Sequence, residues 1–170
     1  SDWTGSSGIT FYDTTGGYSQ EIAGIGRDDV GQLDQKQSKS INPKAIVSLA
    51  LSQHASFDTL NNANFENDMK FMVAGANRAT DSCWTTLDIR VSTPEAGIHQ
   101  RIPKEWKMMY TGTWATDSVE LVMDESLVGY NLPPLPPGAT SYYMYVDNNG
   151  NFSDGGTIPI QMAPVAGGWK

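Results

Sequence analysis

The stretch WKMMYTGTWATDSVELVM, residues 106–123, decides the fold because it contains two runs in which apolar and polar residues alternate. The alternating apolar positions are Trp106, Met108 and Tyr110 in the first run, and Val119, Leu121 and Met123 in the second. Successive side chains of a strand point to opposite faces, so each run predicts a strand that shows one apolar face to a core. The TGT sequence at 111–113 predicts a turn after the first strand.

Further strand candidates lie on both sides of this stretch, at residues 9–13, 45–52, 70–76, 87–91, 141–147 and 157–162. Turn signals such as Asn-Pro and Asp-Asn-Asn-Gly separate them at short intervals, as in antiparallel sandwiches. Residues 56–70 are rich in Asn and lack a sustained apolar stripe, which indicates a long loop. The sequence therefore predicts an all-β fold, an antiparallel β-sandwich with long loops.

Length and charge restrict the classes of function. A chain of 170 residues is expected to form a single domain over 1–170, and its start at Ser1 suggests a monomeric module cut from a larger surface protein. It has 11 Lys and Arg against 19 Asp and Glu, a net charge of −8, which disfavours nucleic acid and anionic membranes as partners. No apolar run is long enough for membrane insertion. The single cysteine, Cys83, allows no disulfide within the chain.

The loop sequence DNNGNFSDGG, residues 147–156, has the side-chain pattern of a calcium loop. Oxygen-bearing side chains recur at four positions around Gly150: Asp147, Asn149, Asn151 and Asp154. Hard cations take six to eight oxygen ligands, which a tight turn of this kind can supply. A metal-free hairpin turn rich in Asn and Asp explains the same residues equally well.

The polar segment IAGIGRDDVGQLDQKQSKSIN, residues 22–42, is the most unusual part of the chain. Its beginning combines two glycines with charged side chains: Gly24, Ile25, Gly26, Arg27, Asp28 and Asp29. Asp stands at 29 where a dinucleotide-binding fingerprint needs Gly, so nucleotide binding is rejected. Glycines that allow close backbone approach beside two carboxylates predict a cation site at Asp28 and Asp29, with amide donors next to it.

The same segment continues into an extended polar run. Gln35, Gln37 and Ser38 supply hydrogen-bonding groups within about twenty residues of the glycines. A solvated strand face explains such a run without any ligand. Their proximity to the glycines and the acid pair favours a ligand groove instead.

Catalysis receives no support from the sequence. GxSxG, HExxH and SxxK motifs are absent, and the two histidines, His54 and His99, occur in contexts with no carboxylate pattern that would make either a base. Both are interpreted as structural or exposed. We therefore expect no enzyme activity.

The segment 22–42, together with FENDMKFMVAGANR, RIPKEWKMMYTGT and YYMYVDNNGNFSDGG, resembles the calcium-dependent peptide-binding domain of giant RTX adhesins of Gram-negative bacteria. The resemblance implies a β-sandwich held by calcium that binds the free C-terminal ends of host or partner surface proteins. It also implies an extracellular location, on the bacterial surface, and a role in cell adhesion. Asn77 and Gly75 would lie near the pocket, although Ala74 replaces the aromatic residue that the family pattern implies.

Two other interpretations stay open. A calcium-dependent carbohydrate-binding module would use exposed aromatic residues such as Trp3, Trp84, Trp114 or Tyr143. A structural spacer in a long surface protein would need no pocket. The convergent polar groups of residues 22–42 argue against the spacer.

Overall fold

The computed structural model of the protein describes residues 3–79, 83–90, 97–124 and 133–170. The chain forms two compact units: Ser1–Arg78 with Glu105–Asp124, and Ala79–Lys104 with Glu125–Lys170. The expectation that residues 1–170 act as one domain stays a prediction.

The described residues of the first unit form nine strands and two short 3-10 helices. The strands are β1 (Trp3–Thr4), β2 (Thr10–Tyr12), β3 (Gln20–Asp28), β4 (Leu33–Gln35), β5 (Gln37–Lys39), β6 (Val47–Leu51), β7 (Lys70–Ala76), β8 (Trp106–Thr111) and β9 (Val119–Asp124). The 3-10 helices span Thr15–Gly17 and Asp58–Leu60. No helix in the described part of the chain is long and apolar enough to span a membrane.

Two antiparallel sheets face each other in this unit. One has the strand order β4-β3-β7-β8, and the other contains β5, β6 and β9 with β6 in the middle. Apolar side chains from both sheets form one buried cluster: Ile25 and Ala74 from the first, Leu49 and Leu51 from the second, and Phe65 from the loop before β7. The prediction of an all-β fold with antiparallel sheets is confirmed, and the arrangement is that of a β-sandwich.

The alternating run at 106–110 forms the strand β8, but two of its three apolar positions are exposed. Met108 pairs with the buried Ala74 and Tyr110 with Met72, so both side chains lie on the core face of the sheet. Met108 is nevertheless 42% exposed and Tyr110 67% exposed. The expectation of burial is wrong here because β8 is the edge strand of its sheet.

The longest strand, β3, lies in the glycine-containing segment for which a binding turn was expected. Its glycines make close contact with β7. A Cβ atom on Gly24 would lie 2.8 Å from Val73 Cγ2, and one on Gly26 would lie 2.3 Å from Phe71 Cδ1. Real Cβ atoms do not approach that closely, so the absence of a side chain lets β7 pack against this strand.

The second unit contains two β-hairpins. The strands β10 (Tyr143–Val146) and β11 (Ile158–Gln161) pair with each other, and β12 (Pro164–Val165) pairs with β13 (Gly168–Trp169). The strand predicted at 87–91 is not present over residues 87–90, which form turn and bend structure, and Val91 lies outside the described residues. Tyr142 is buried between Trp84 and Trp169, with ring centroids 6.1 and 4.9 Å away.

Candidate functional site

An open groove of about 280 Å³ lies on the outer side of the β5–β6–β9 sheet. Its walls come from β5, from β6 and from the loop that follows β6. The lining residues are Gln37, Ser38, Lys39, Ser48, His54, Ser56, Phe57 and Asp58. Two residues predicted to bind ligand, Gln37 and Ser38, therefore line one groove.

The loop after β6 folds back over its own strand to form one wall. Ser52 adopts a left-handed conformation with φ of 62°, which reverses the chain directly after Leu51. The buried Asn61 then donates hydrogen bonds from Nδ2 to the carbonyl oxygens of Leu51 and Gln53, at 2.9 and 3.0 Å. Gln37 holds the next part of the loop, because its side-chain amide bonds both the N–H and the carbonyl of Ala55. The groove wall is thus fixed at several points.

This reversal brings three polar side chains into a line. Ser48 Oγ lies 2.9 Å from His54 Nε2, and His54 Nδ1 lies 3.0 Å from Glu120 Oε1. The backbone N–H of His54 donates to the same carboxylate oxygen, at 3.0 Å. The sequence around His54 contains no pattern that indicates this carboxylate partner. Glu120 comes from β9, 66 residues further along the chain, and only the β6–β9 register brings it to the loop.

The strand β5 supplies the other wall of the groove and lies at the edge of its sheet. It pairs with β6 on one side, and no strand in the described ranges pairs with its other side. The Leu51 N–H donates to the Lys36 carbonyl, so the antiparallel alternation turns the peptide groups of Gln37 and Lys39 toward the open side. Asp58 Oδ1 accepts the Gln37 N–H there, at 2.6 Å. The peptide groups of Lys39 lie further along the same edge.

One cation and one aromatic ring complete the groove. Lys39 pairs with Ser48 in the strand register and reaches across β6 to Asp124, with 2.9 Å between Nζ and Oδ2. Phe57 lines the groove and is 69% exposed. An exposed aromatic side chain beside hydrogen-bonding groups is typical of a ligand site.

The remaining predicted ligand residues lie elsewhere. Gly24, Ile25, Gly26 and Arg27 belong to β3, where they pair with β7. Ser38 Oγ accepts the Gly24 N–H at 3.4 Å, which links the two sheets. Gln35 donates to the Gln37 carbonyl, and Asn77 pairs with Glu105 through its backbone N–H and side-chain oxygen. Gly24 and Gln35 therefore contact wall residues, and Ile25, Gly26, Arg27 and Asn77 lie away from the groove lining.

The two carboxylates predicted to share a cation in the first unit have separate partners. Asp28 is buried and accepts hydrogen bonds from the Ser6 N–H and hydroxyl and from the Gly31 N–H. Asp29 forms a two-point ion pair with Arg27, at 2.7 and 3.0 Å. Each carboxylate therefore has its own set of protein donors, and a cation shared by Asp28 and Asp29 stays a prediction.

In the second unit, the four predicted metal ligands of residues 147–154 lie in the loop that connects β10 to β11. Asn149 Nδ2 donates to Asp154 Oδ2 at 2.7 Å, and Asp147 Oδ1 accepts the N–H groups of Asn149 and Gly150. The Asn151 side-chain oxygen accepts from Ser153. All four side chains are hard oxygen donors, which fits calcium. Across the described residues, no three His, Cys, Asp or Glu side chains are grouped closely enough to hold a metal by themselves.

The chain matches a domain of unknown function, DUF8202, over residues 1–167. It belongs to the DUF8202 family. No curated protein and no solved structure matches this DUF8202 chain.

The aromatic residues considered for sugar binding each have their own packing partners in this DUF8202 domain. Trp114 packs against the core cluster, with its ring 6.2 Å from that of Phe65 and its indole N–H bonded to the Thr111 carbonyl. Trp84 stacks on Tyr142 in the second unit, and Trp3 packs edge-on against Phe11 in the first. The carbohydrate interpretation stays a prediction.

Asp28 should make the stability of the domain sensitive to acid. The Ser6 hydroxyl, followed by the N–H groups of Ser6 and Gly31, holds the pKa of Asp28 below its usual value of 3.8. Because the folded pKa is lowered, this stabilisation is present above about pH 4 and is lost as pH falls toward the folded value. Thermal unfolding of the wild type and Asp28→Asn between about pH 3 and 6 tests this. The variant should melt lower at pH 6 and depend less on pH; an unchanged profile would contradict the assignment.

Proposed function

We propose that this DUF8202 domain is a calcium-dependent ligand-binding module of a bacterial adhesin that binds the C-terminal ends of partner or host surface proteins. The observation that carries the proposal is the groove beside the open edge of β5, which Gln37 and Ser38 line. The resemblance to RTX adhesin domains supports the same function and a monomeric module on the surface of a Gram-negative cell.

An extended peptide suits this groove because one side of it is a strand edge. A peptide that adds to the edge gains hydrogen bonds from its main chain, while pockets select alternate side chains. The outward peptide groups of Lys39 provide such bonds, and the exposed Phe57 ring provides apolar contact for a side chain.

The end of the peptide is recognised through its charge. Lys39 is the ammonium group that lines the groove, and its present partner Asp124 forms a half-exposed pair with it. A terminal carboxylate forms charge-assisted hydrogen bonds with an ammonium and with backbone N–H groups. This accounts for anion binding by a domain with a net charge of −8.

Calcium is proposed to bind at the loop between β10 and β11. Asp147, Asn149, Asn151 and Asp154 would hold it, with backbone carbonyls and water as further ligands. The ion would neutralise two neighbouring carboxylates and stabilise the loop.

Calcium should therefore raise the melting temperature of the domain. Binding to the folded state alone stabilises it by mass action, by about 2.7 kcal/mol when free calcium is a hundred times the Kd. Thermal unfolding in calcium and in EDTA measures the difference, and Asp147→Asn combined with Asp154→Asn should reduce it. Equal midpoints for the wild type in both buffers would contradict a structural role for calcium.

The binding site itself is tested with a pair of matched lysine variants. Lys39→Ala removes the groove cation, whereas Lys107→Ala removes a comparable surface pair with Asp13, at 3.2 Å, away from the groove. A screen of C-terminal peptides and glycans identifies a ligand, and calorimetry then compares both variants with the wild type. Lys39→Ala should weaken binding about tenfold and Lys107→Ala should not. Equal loss in both, or a glycan as the ligand, would contradict the proposal.

A further inference from the structure

Ser48, His54 and Glu120 have the relative geometry of a nucleophile, a base and an orienting carboxylate. The serine Oγ is 2.9 Å from Nε2, and the carboxylate is 3.0 Å from Nδ1 of the same ring. Serine hydrolases on unrelated folds use this arrangement, which is recognised from geometry and roles rather than from position in the sequence. The sequence between Ser48 and His54 contains no motif for it.

The hydrogen bonds define which atom can take a proton. Glu120 can only accept, so the ring proton lies on Nδ1 and Nε2 keeps its lone pair toward Ser48. The backbone N–H of His54 donates to the same carboxylate, which holds this part of the loop against β9. Ser48 Oγ has a second acceptor in the Val122 carbonyl, but at 3.5 Å that contact is longer and weaker. The Ser48 hydroxyl is therefore directed at a base.

The surroundings of Ser48 can accept a substrate. Ser48 is half-buried on the floor of the open groove, with the exposed Phe57 on the wall above it. On its other side lies Lys39, its cross-strand neighbour, whose Cβ in an antiparallel pair is about 4.5 to 5.5 Å from that of Ser48. An ammonium at this place can stabilise negative charge that develops on a carbonyl oxygen.

We propose that Ser48 is a catalytic nucleophile that accepts an acyl group from carboxylic esters bound in the groove. Its Oγ attacks the carbonyl carbon while its proton passes to His54 Nε2. The bond to the alcohol oxygen then breaks, and the alcohol leaves with that proton. Water then hydrolyses the acylated serine by the reverse steps. It gives a proton to His54 Nε2, its oxygen adds to the acyl carbon, and Ser48 Oγ recovers the proton as the acid departs.

The ester most suited to this groove has a small acyl group and an aromatic alcohol, which would lie against Phe57. This activity goes beyond peptide binding and does not depend on it. The labelling test below decides between it and the sequence-based expectation that the protein has no enzyme activity.

The test is acyl labelling of the intact chain with p-nitrophenyl acetate. Because water removes the acyl group again, samples are quenched in acid within seconds of mixing. Intact-mass analysis should then show one added acetyl group, and peptide mapping should place it on Ser48 of the wild type. Ser48→Ala should show no acetyl group at this site. His54→Gln should slow the labelling by at least about a hundredfold, as expected for loss of a general base. Ser7→Ala, an exposed serine between β1 and β2, should label like the wild type.

Each alternative outcome contradicts the proposal. If the three side chains only hold the loop onto the sheet, the wild type will carry no acetyl group on Ser48. If the hydroxyl reacts without help from the base, His54→Gln will label as fast as the wild type. The mapping on the wild type does not depend on the variants being folded, and calorimetry on Ser48→Ala reports peptide binding separately.

Discussion

Replacing Lys70 by methionine should lower the free energy of unfolding by about 3 to 5 kcal/mol. The Lys70 side chain is fully buried, with Nζ bonded to Asp117 and, at 3.0 Å, to Glu66. The ring of Trp114 lies 4.7 Å from the same ammonium group. Burial lowers the pKa of Lys70, but the hydrogen bonds to Asp117 and Glu66 outweigh it and raise the pKa overall. Methionine fills the space but leaves Asp117, itself largely buried, without its cation.

Urea unfolding of Lys70→Met and of Lys107→Met provides the comparison. Lys107 pairs with Asp13 at the surface, where such ion pairs contribute about 0 to 1 kcal/mol. The two variants should therefore differ by at least about 2 kcal/mol. Similar losses in both would show that the buried ion pair is not a major source of stability.

The second large effect is expected at Gly26. An added Cβ atom would lie 2.3 Å from Phe71 Cδ1 and 2.8 Å from the Lys70 carbonyl oxygen, which is backbone and cannot rotate away. Gly26→Ala should therefore destabilise the domain by about 3 kcal/mol, the upper end for overpacking.

Gly24→Ala is the matched control in the same strand. Its Cβ would meet Val73 Cγ2 at 2.8 Å, a methyl group that can shift, so the cost should be nearer about 1 kcal/mol. Guanidinium unfolding of both variants measures which substitution lowers the free energy of unfolding more. Loss of peptide binding in a Gly26→Ala protein of unchanged stability would contradict the packing role and favour direct ligand contact.

The glycines show which parts of the fold could be predicted. Strands with alternating apolar residues, such as β8 and β9, are visible in the sequence because alternation is a local property. β3 lacks that pattern, since Gly24 and Gly26 occupy positions where a neighbouring strand must approach closely. The sequence does not distinguish a glycine needed for cross-strand packing from one needed for a turn. Only the strand pairing in the structure tells them apart.

The candidate site was likewise predictable only where its residues follow a local sequence pattern. Gln37 and Ser38 belong to a polar strand that the sequence shows directly, and both line the groove. The contact between His54 and Glu120 depends on the β6–β9 register and on the left-handed turn at Ser52. Neither feature leaves a local pattern, because serine has no general preference for such a conformation. Ser48 and His54 are six residues apart, on either side of the end of a strand. This short separation is the one sequence feature that points to their contact.

The most direct test of the proposed function compares one peptide ligand with a free C-terminus and with an amidated C-terminus, by calorimetry at fixed calcium. Amidation removes the charge that Lys39 and the β5 edge are proposed to recognise. Charge-assisted hydrogen bonds contribute about 1.5 to 3 kcal/mol, so the amidated peptide should bind at least about tenfold more weakly. Equal affinity of the two peptides would contradict recognition of a C-terminal carboxylate.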